Sequence, residues 1–162
     1  MLKRIVVTFT ILTVLLSTVA LAAPATVSVD DQGTANGLIV ITNPDISESN
    51  KVSTTTSDYI ISGYGQEGTD VCIYLYNPTD NVYKKIVIDG KSIEWEIGAS
   101  GLFMQTIALV DGENKILIRA EADSNTYQIV KIDITLLKEG FLDRIKGLTI
   151  DIVKEKVFGI GK

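Results

Sequence analysis

Five stretches of the chain hold residue types and spacings that do chemistry in other settings. Gly63 to Gly68 reads GYGQEG, the G-x-G-x-x-G spacing that cradles a dinucleotide pyrophosphate when it follows a strand and opens a helix. Glu94 and Glu96 stand two residues apart, which on a strand puts both carboxylates on one face roughly 6 to 7 Å apart, near the separation glycosidases use. Tyr74 and Tyr76 share that spacing, and two neighbouring rings suit a sugar face or a protein partner. Asp111 with Glu113, and Asp123 with Asn125, place oxygen donors in turns where calcium could be ligated. Histidine is absent from the sequence, which removes the commonest general base and metal ligand together.

What these residues can do depends on the elements that hold them. Between Leu38 and Leu136 the chain reads as short β-branched and aromatic runs separated by turn residues, the pattern of an all-β sandwich. The runs are Leu38 to Thr42, Ser57 to Ser62, Asp70 to Tyr76, Val82 to Ile88, Ser92 to Ile97, Phe103 to Leu109, Lys115 to Glu121 and Tyr127 to Leu136. Ile93, Trp95 and Ile97 alternate with the two glutamates, and Val130, Ile132, Ile134 and Leu136 alternate with Lys131, Asp133 and Thr135. Such alternation means sheets with one wet side. No segment in this interval has a helical period.

The elements decide most of the candidates. GYGQEG leads into DVCIYLYN, a strand, so no helix dipole is available for a phosphate, and the glycines are read as a strand-to-strand connection needing unusual backbone angles. The glutamates lie opposite Trp95 and read as a solvated surface. The acidic pairs lack the ligand repeat of a calcium loop. No catalytic residue, metal site or cofactor is therefore expected. With Val71, Ile73 and Leu75 pointing inward, Cys72, Tyr74 and Tyr76 point outward together, leaving Tyr74 and Tyr76 as the candidate ligand-binding residues. The favoured reading of the two rings is nevertheless that a hairpin from Val82 covers them, or that they form cross-strand pairs.

The ends differ from the middle. The opening MLKRIVVTFTILTVLLSTVALAAPA has a basic start, an apolar run and small residues of A-x-A type, the layout of a secretory signal. Residues 1–23 are read as that signal peptide, with an uncleaved anchor as the competing view. Residues 24–37 read as a flexible leader, 38–137 as the sandwich, and 138–162 as an amphipathic segment. In this last part Phe141, Ile145, Leu148 and Ile152 recur at helical spacing. Leu148, Ile150 and Ile152 also alternate as a strand would, and Gly140 and Gly147 each weaken a helix by about 1 kcal/mol. Its apolar side needs a cover: the sandwich, a second copy, a membrane surface or a partner.

Cys72 is the sole cysteine and makes no internal disulfide, so the fold must rest on packing, with Trp95 as a large core piece and Ile116, Ile118 and Ala120 buried against Val71, Ile73 and Leu75. Ala25 to Leu137 holds seven Lys or Arg against sixteen Asp or Glu, a net of −9, while the part beyond Leu137 holds six against four, or +2. A body this acidic repels phosphate backbones and argues against a nucleic-acid partner.

Ser62-Gly63, Gly68-Thr69, Phe103, and then Leu109, Gly112, Asn114 and Ile116 sit at offsets that resemble the bacterial immunoglobulin-like modules of surface proteins and secreted polysaccharide-active enzymes. The likeness spans roughly Ile60 to Leu136. It implies a seven-strand Greek-key sandwich without catalysis, and VYKKIVIDGKSIEWEI departs from it by length, which implies an extra hairpin or edge strand. The expectation is an exported, non-catalytic Ig-like module, extracellular or at the cell surface, with a structural or adhesion-type role toward a protein or polysaccharide. The alternative is a carbohydrate-binding accessory module acting through the tyrosines. Membrane contact through the C-terminal segment is a further possibility.

Overall fold

A computed structural model of the chain describes residues 23–88 and 90–138. The expected signal peptide and the C-terminal amphipathic segment lie outside the described residues, apart from their inner boundary positions.

Twelve strands follow one another among the described residues: β1 (Thr26–Ser28), β2 (Ile39–Asn43), β3 (Lys51–Thr54), β4 (Asp58–Gly65), β5 (Asp70–Asn77), β6 (Val82–Lys85), β7 (Val87–Ile88), β8 (Lys91–Ser92), β9 (Glu94–Glu96), β10 (Leu102–Ala108), β11 (Gly112–Asp123) and β12 (Thr126–Leu136). Among the described residues there is no helix. All eight expected runs are strands. Two were not expected: β1, inside the stretch read as a loose leader, and β3, a polar edge strand with little apolar alternation to mark it.

The strands form two facing sheets. The larger runs β1-β6-β5-β11-β12-β3, with β9 also on β5; the smaller runs β10-β4-β2. Every pairing is antiparallel except β3 with β12. β7 and β8 pair antiparallel as a two-stranded hairpin, Val87 with Ser92 and Ile88 with Lys91, the extra hairpin expected in that stretch. It leaves the sheet edge at a junction where Ile73 donates its N–H to Ile93 O (3.2 Å) and accepts at its carbonyl from Ile86 N (3.0 Å).

One core lies between the sheets. Ile39, Ile41, Ile61, Phe103 and Ile107 from the smaller sheet meet Val71, Ile73, Ile116, Ile118, Ala120, Ile132 and Ile134 from the larger. The sequence reading set Ile116, Ile118 and Ala120 across the core from Val71, Ile73 and Leu75; they are instead side-by-side neighbours on β11 and β5, in register. The layer opposite them is β2, β4 and β10. Leu75 leaves the core altogether: it is 38 % exposed in an open groove with Tyr76, Pro78, Lys84 and Ile86. Trp95 packs at the core's margin, 5.7 Å from the Phe103 ring. Each fully buried aliphatic adds roughly 1.5 to 3 kcal/mol, so this core can hold the sheets together with Cys72 buried as a free thiol.

The glycines of GYGQEG sit where strands meet. Gly68 alone has a left-handed backbone, φ +78°; Gly63 and Gly65 are there for room. A Cβ on Gly63 would lie 2.1 Å from the Val40 carbonyl oxygen, and one on Gly65 would lie 2.6 Å from that of Leu38. The motif lets β2 lie close against β4. At the far end, Asn114 fixes the turn into β11: its Nδ2 donates to Val110 O (2.8 Å), Gly112 O (3.0 Å) and Ile134 O (3.2 Å), and its Oδ1 accepts from Val110 N (2.9 Å).

Candidate interaction face

Each sheet has an outer face, and the two are treated differently. On the larger sheet, Cys72, Tyr74 and Tyr76 of β5 do point outward, as their spacing requires. They do not meet solvent together. Tyr74 is 0 % exposed in a second apolar cluster with Val27, Cys72, Tyr83 and Leu117, and its hydroxyl donates to Pro24 O at 2.8 Å. Burial pushes the Tyr74 phenol far above its ordinary range and raises the Cys72 thiol as well. Tyr76 stays half-buried, tilted against Tyr83 at 5.6 Å, with its hydroxyl on Asn81 Oδ1 (2.9 Å) and Lys115 Nζ 5.5 Å from its ring. Of the two readings of this pair, the covered, cross-strand one matches the fold, and the candidate ligand-binding residues Tyr74 and Tyr76 do not form an open pair. Tyr76 and Tyr83 are direct cross-strand partners, and the cover over Tyr74 comes from both β6 and the N-terminal segment.

That segment is the stretch expected to be a flexible leader, and it is docked. β1 pairs with β6 at one edge of the larger sheet, and Gly33 bridges to Gln128 of β12 further across it. Between these points Lys131 Nζ donates to Val29 O (2.7 Å) and Asp31 O (2.8 Å). Arg119, 7 % exposed, stacks on the Tyr127 ring at 3.5 Å and pairs with Glu121 and, at 3.7 Å, with Asp31. Tyr127 in turn donates to Asp31 Oδ1 (3.1 Å). The charges thus lie beneath the segment, each with a partner, as burial of charge demands.

The acidic candidates are surface features. Glu94 and Glu96 are exposed on β9, and Glu94 accepts from Lys85 Nζ at 2.9 Å. Glu113 faces Lys115 at 3.6 Å. Asp123 Oδ1 accepts from Asn125 N (2.8 Å) and Thr126 N (2.9 Å), closing the β11–β12 turn; these bonds hold its carboxyl below the usual carboxylate range. Among the described residues no three His, Cys, Asp or Glu side chains converge as a metal cluster.

The smaller sheet's outer face is where the sequence reading missed something. Leu102, Tyr64 and Val40 stand directly opposite one another across β10, β4 and β2, and all three are exposed, Leu102 at 69 % and Tyr64 at 50 %. Below this row lies Met104 opposite Ser62, and below that Thr106 opposite Ile60. Leu102 and Met104 wall a shallow depression with Thr42 and Ser62. The signal was present in the sequence: LIVIT, DYIISGY and LFMQTIA carry apolar residues at both parities, which is the mark of strands whose two faces both seek cover.

The chain matches no family model and no curated protein sequence.

Proposed function

We propose that this chain is an exported, non-catalytic Ig-like module whose β2-β4-β10 outer face engages a protein partner at or outside the cell surface. The observation that carries this reading is the exposed row Leu102, Tyr64 and Val40 with Met104 and Ile60 beside it. An apolar surface of this kind, on an otherwise acidic domain, marks a contact site. The Ig-like assignment draws support from the topology: β4 and β5, and again β10 and β11, are consecutive strands placed in different sheets, as Greek-key connections require. The carbohydrate reading needs two open rings, and burial of Tyr74 leaves Tyr76 without its neighbour, so a protein partner is the better fit.

The test is retention of the purified chain on intact cells of the kind that produce it. Replacing Tyr64→Glu together with Leu102→Glu should lower retention by about tenfold, the factor that corresponds to 1.4 kcal/mol, with unchanged thermal unfolding. Equal retention of the variant would overturn the reading. Retardation on polysaccharide gels that Tyr76→Ala abolishes would transfer the function to the tyrosine side.

A further inference from the structure

We infer that the occupant of the open face in the isolated chain is the chain's own C-terminal segment, 139–162, lying along β2, β4 and β10 until a partner displaces it. This rests on the reading of that face as the interaction site.

The exit point favours it. Leu137 N donates to Thr54 O at 2.8 Å, so the chain leaves beside β3 and β12, at the edge of the larger sheet. β3 follows β2 after the connection 44–50, which puts the departing chain on the side of the sandwich that β2 borders. It leaves at the end where Asp58 opens β4 opposite Ala108. The lengths agree. Phe141 to Ile152, wound as the helix its spacing describes, spans about 16 Å at 1.5 Å per residue. Ile60 to Tyr64 along β4 spans about 14 Å at 3.4 Å per residue. A stripe of Phe141, Ile145, Leu148 and Ile152 can then lie on Ile60, Met104, Tyr64 and Leu102 while Arg144, Asp151 and Lys154 face water.

Charge points the same way. The segment beyond Leu137 carries +2 and the body −9, so the two attract, and at low ionic strength the attraction reaches across about 10 Å or more. A membrane surface rich in anionic lipid would draw the segment but repel the body that must approach with it.

Met104 reports on this directly. It is 71 % exposed on the face, and Met1 is the only other methionine, so its oxidation by dilute peroxide can be followed on its own peptide by mass spectrometry. The full chain is compared with full chains carrying Ile145→Asp with Leu148→Asp, or Phe141→Asp with Ile152→Asp. Oxidation about tenfold slower in the unsubstituted chain, at a rate unaffected by dilution, is the expected result and corresponds to 1.4 kcal/mol of docking. Retention on cells should rise in both tail variants. Equal oxidation in all three chains overturns the inference, as does protection that vanishes on dilution, which would assign the cover to a second copy. Sedimentation with anionic vesicles at unprotected Met104 would assign the segment to a membrane. If Met104 oxidises equally while Tyr64→Glu with Leu102→Glu still abolishes retention, the self-cover fails and the interaction face stands.

Discussion

The outer face of the larger sheet and that of the smaller one begin from the same material and end differently. Both present apolar side chains outward: Tyr74, Leu117 and Ile129 on one, Val40, Tyr64, Leu102 and Met104 on the other. The first is closed by residues 23–35, which supply Val27 to the cluster, carbonyls to Tyr74 and Lys131, and Asp31 to Arg119. The second has no such cover among the described residues. The difference teaches that outward apolar residues are not by themselves a site. A covered apolar face adds stability, while an open one is available for association.

If this contrast holds, damage to the covered face should appear as lost stability. Tyr74→Ala should cost about 4 kcal/mol in urea unfolding, the range of a large aromatic truncated in a core, whereas Tyr74→Phe should cost about 1 kcal/mol, the hydrogen bond to Pro24 alone. A loss below about 1 kcal/mol for Tyr74→Ala would mean that the segment does not close over the ring. Arg119→Ala comes next, at about 3 kcal/mol, because it leaves Glu121 with its carboxylate mostly buried and without its partner. Proteolysis within residues 23–35 should become faster in the same variant; cleavage at the wild-type rate would show that Arg119 does not hold the segment.

The smallest effect lies away from both faces. Asp123 has a lowered carboxyl pKa in the folded chain, so its contribution to stability is present above its ordinary value of 3.8 and is lost as pH falls through the lower folded value. The melting temperature of Asp123→Ala should fall a few degrees below wild type at neutral pH and converge with it in strong acid. A gap that persists unchanged into acid would mean that the lost interaction is not carried by the ionised carboxylate.

Much of this was legible along the chain. Ile93, Trp95 and Ile97 were read onto one face, and all three pack into or against the core; Gly112 and Asn114 were read as a turn with a fixing side chain, and Asn114 makes four bonds there. The strength of those signals is local, since a period of two or a turn residue acts over a few positions. The errors were nonlocal. TVSVDDQGTANG looked loose because its partners, Lys84 on β6, Tyr127 and Lys131, lie more than fifty residues away. Leu75 was read as core because it alternates with Val71 and Ile73; in the folded chain it is instead 38 % exposed in the groove beside Pro78 and Ile86. GYGQEG was right in outcome and partly wrong in cause, as Gly63 and Gly65 answer to the closeness of β2 rather than to an unusual φ.

From the order of residues alone came the extended strands, their turns and the side of each strand that seeks an apolar neighbour, because backbone sterics and the two-residue repeat act within a few positions. Which of the two outward faces is covered came only from the folded chain. Cover depends on where a segment remote in sequence comes to rest, and that is set by the summed contacts of Val27, Asp31 and Gly33 with β6, β11 and β12 rather than by any pattern in the strands they cover.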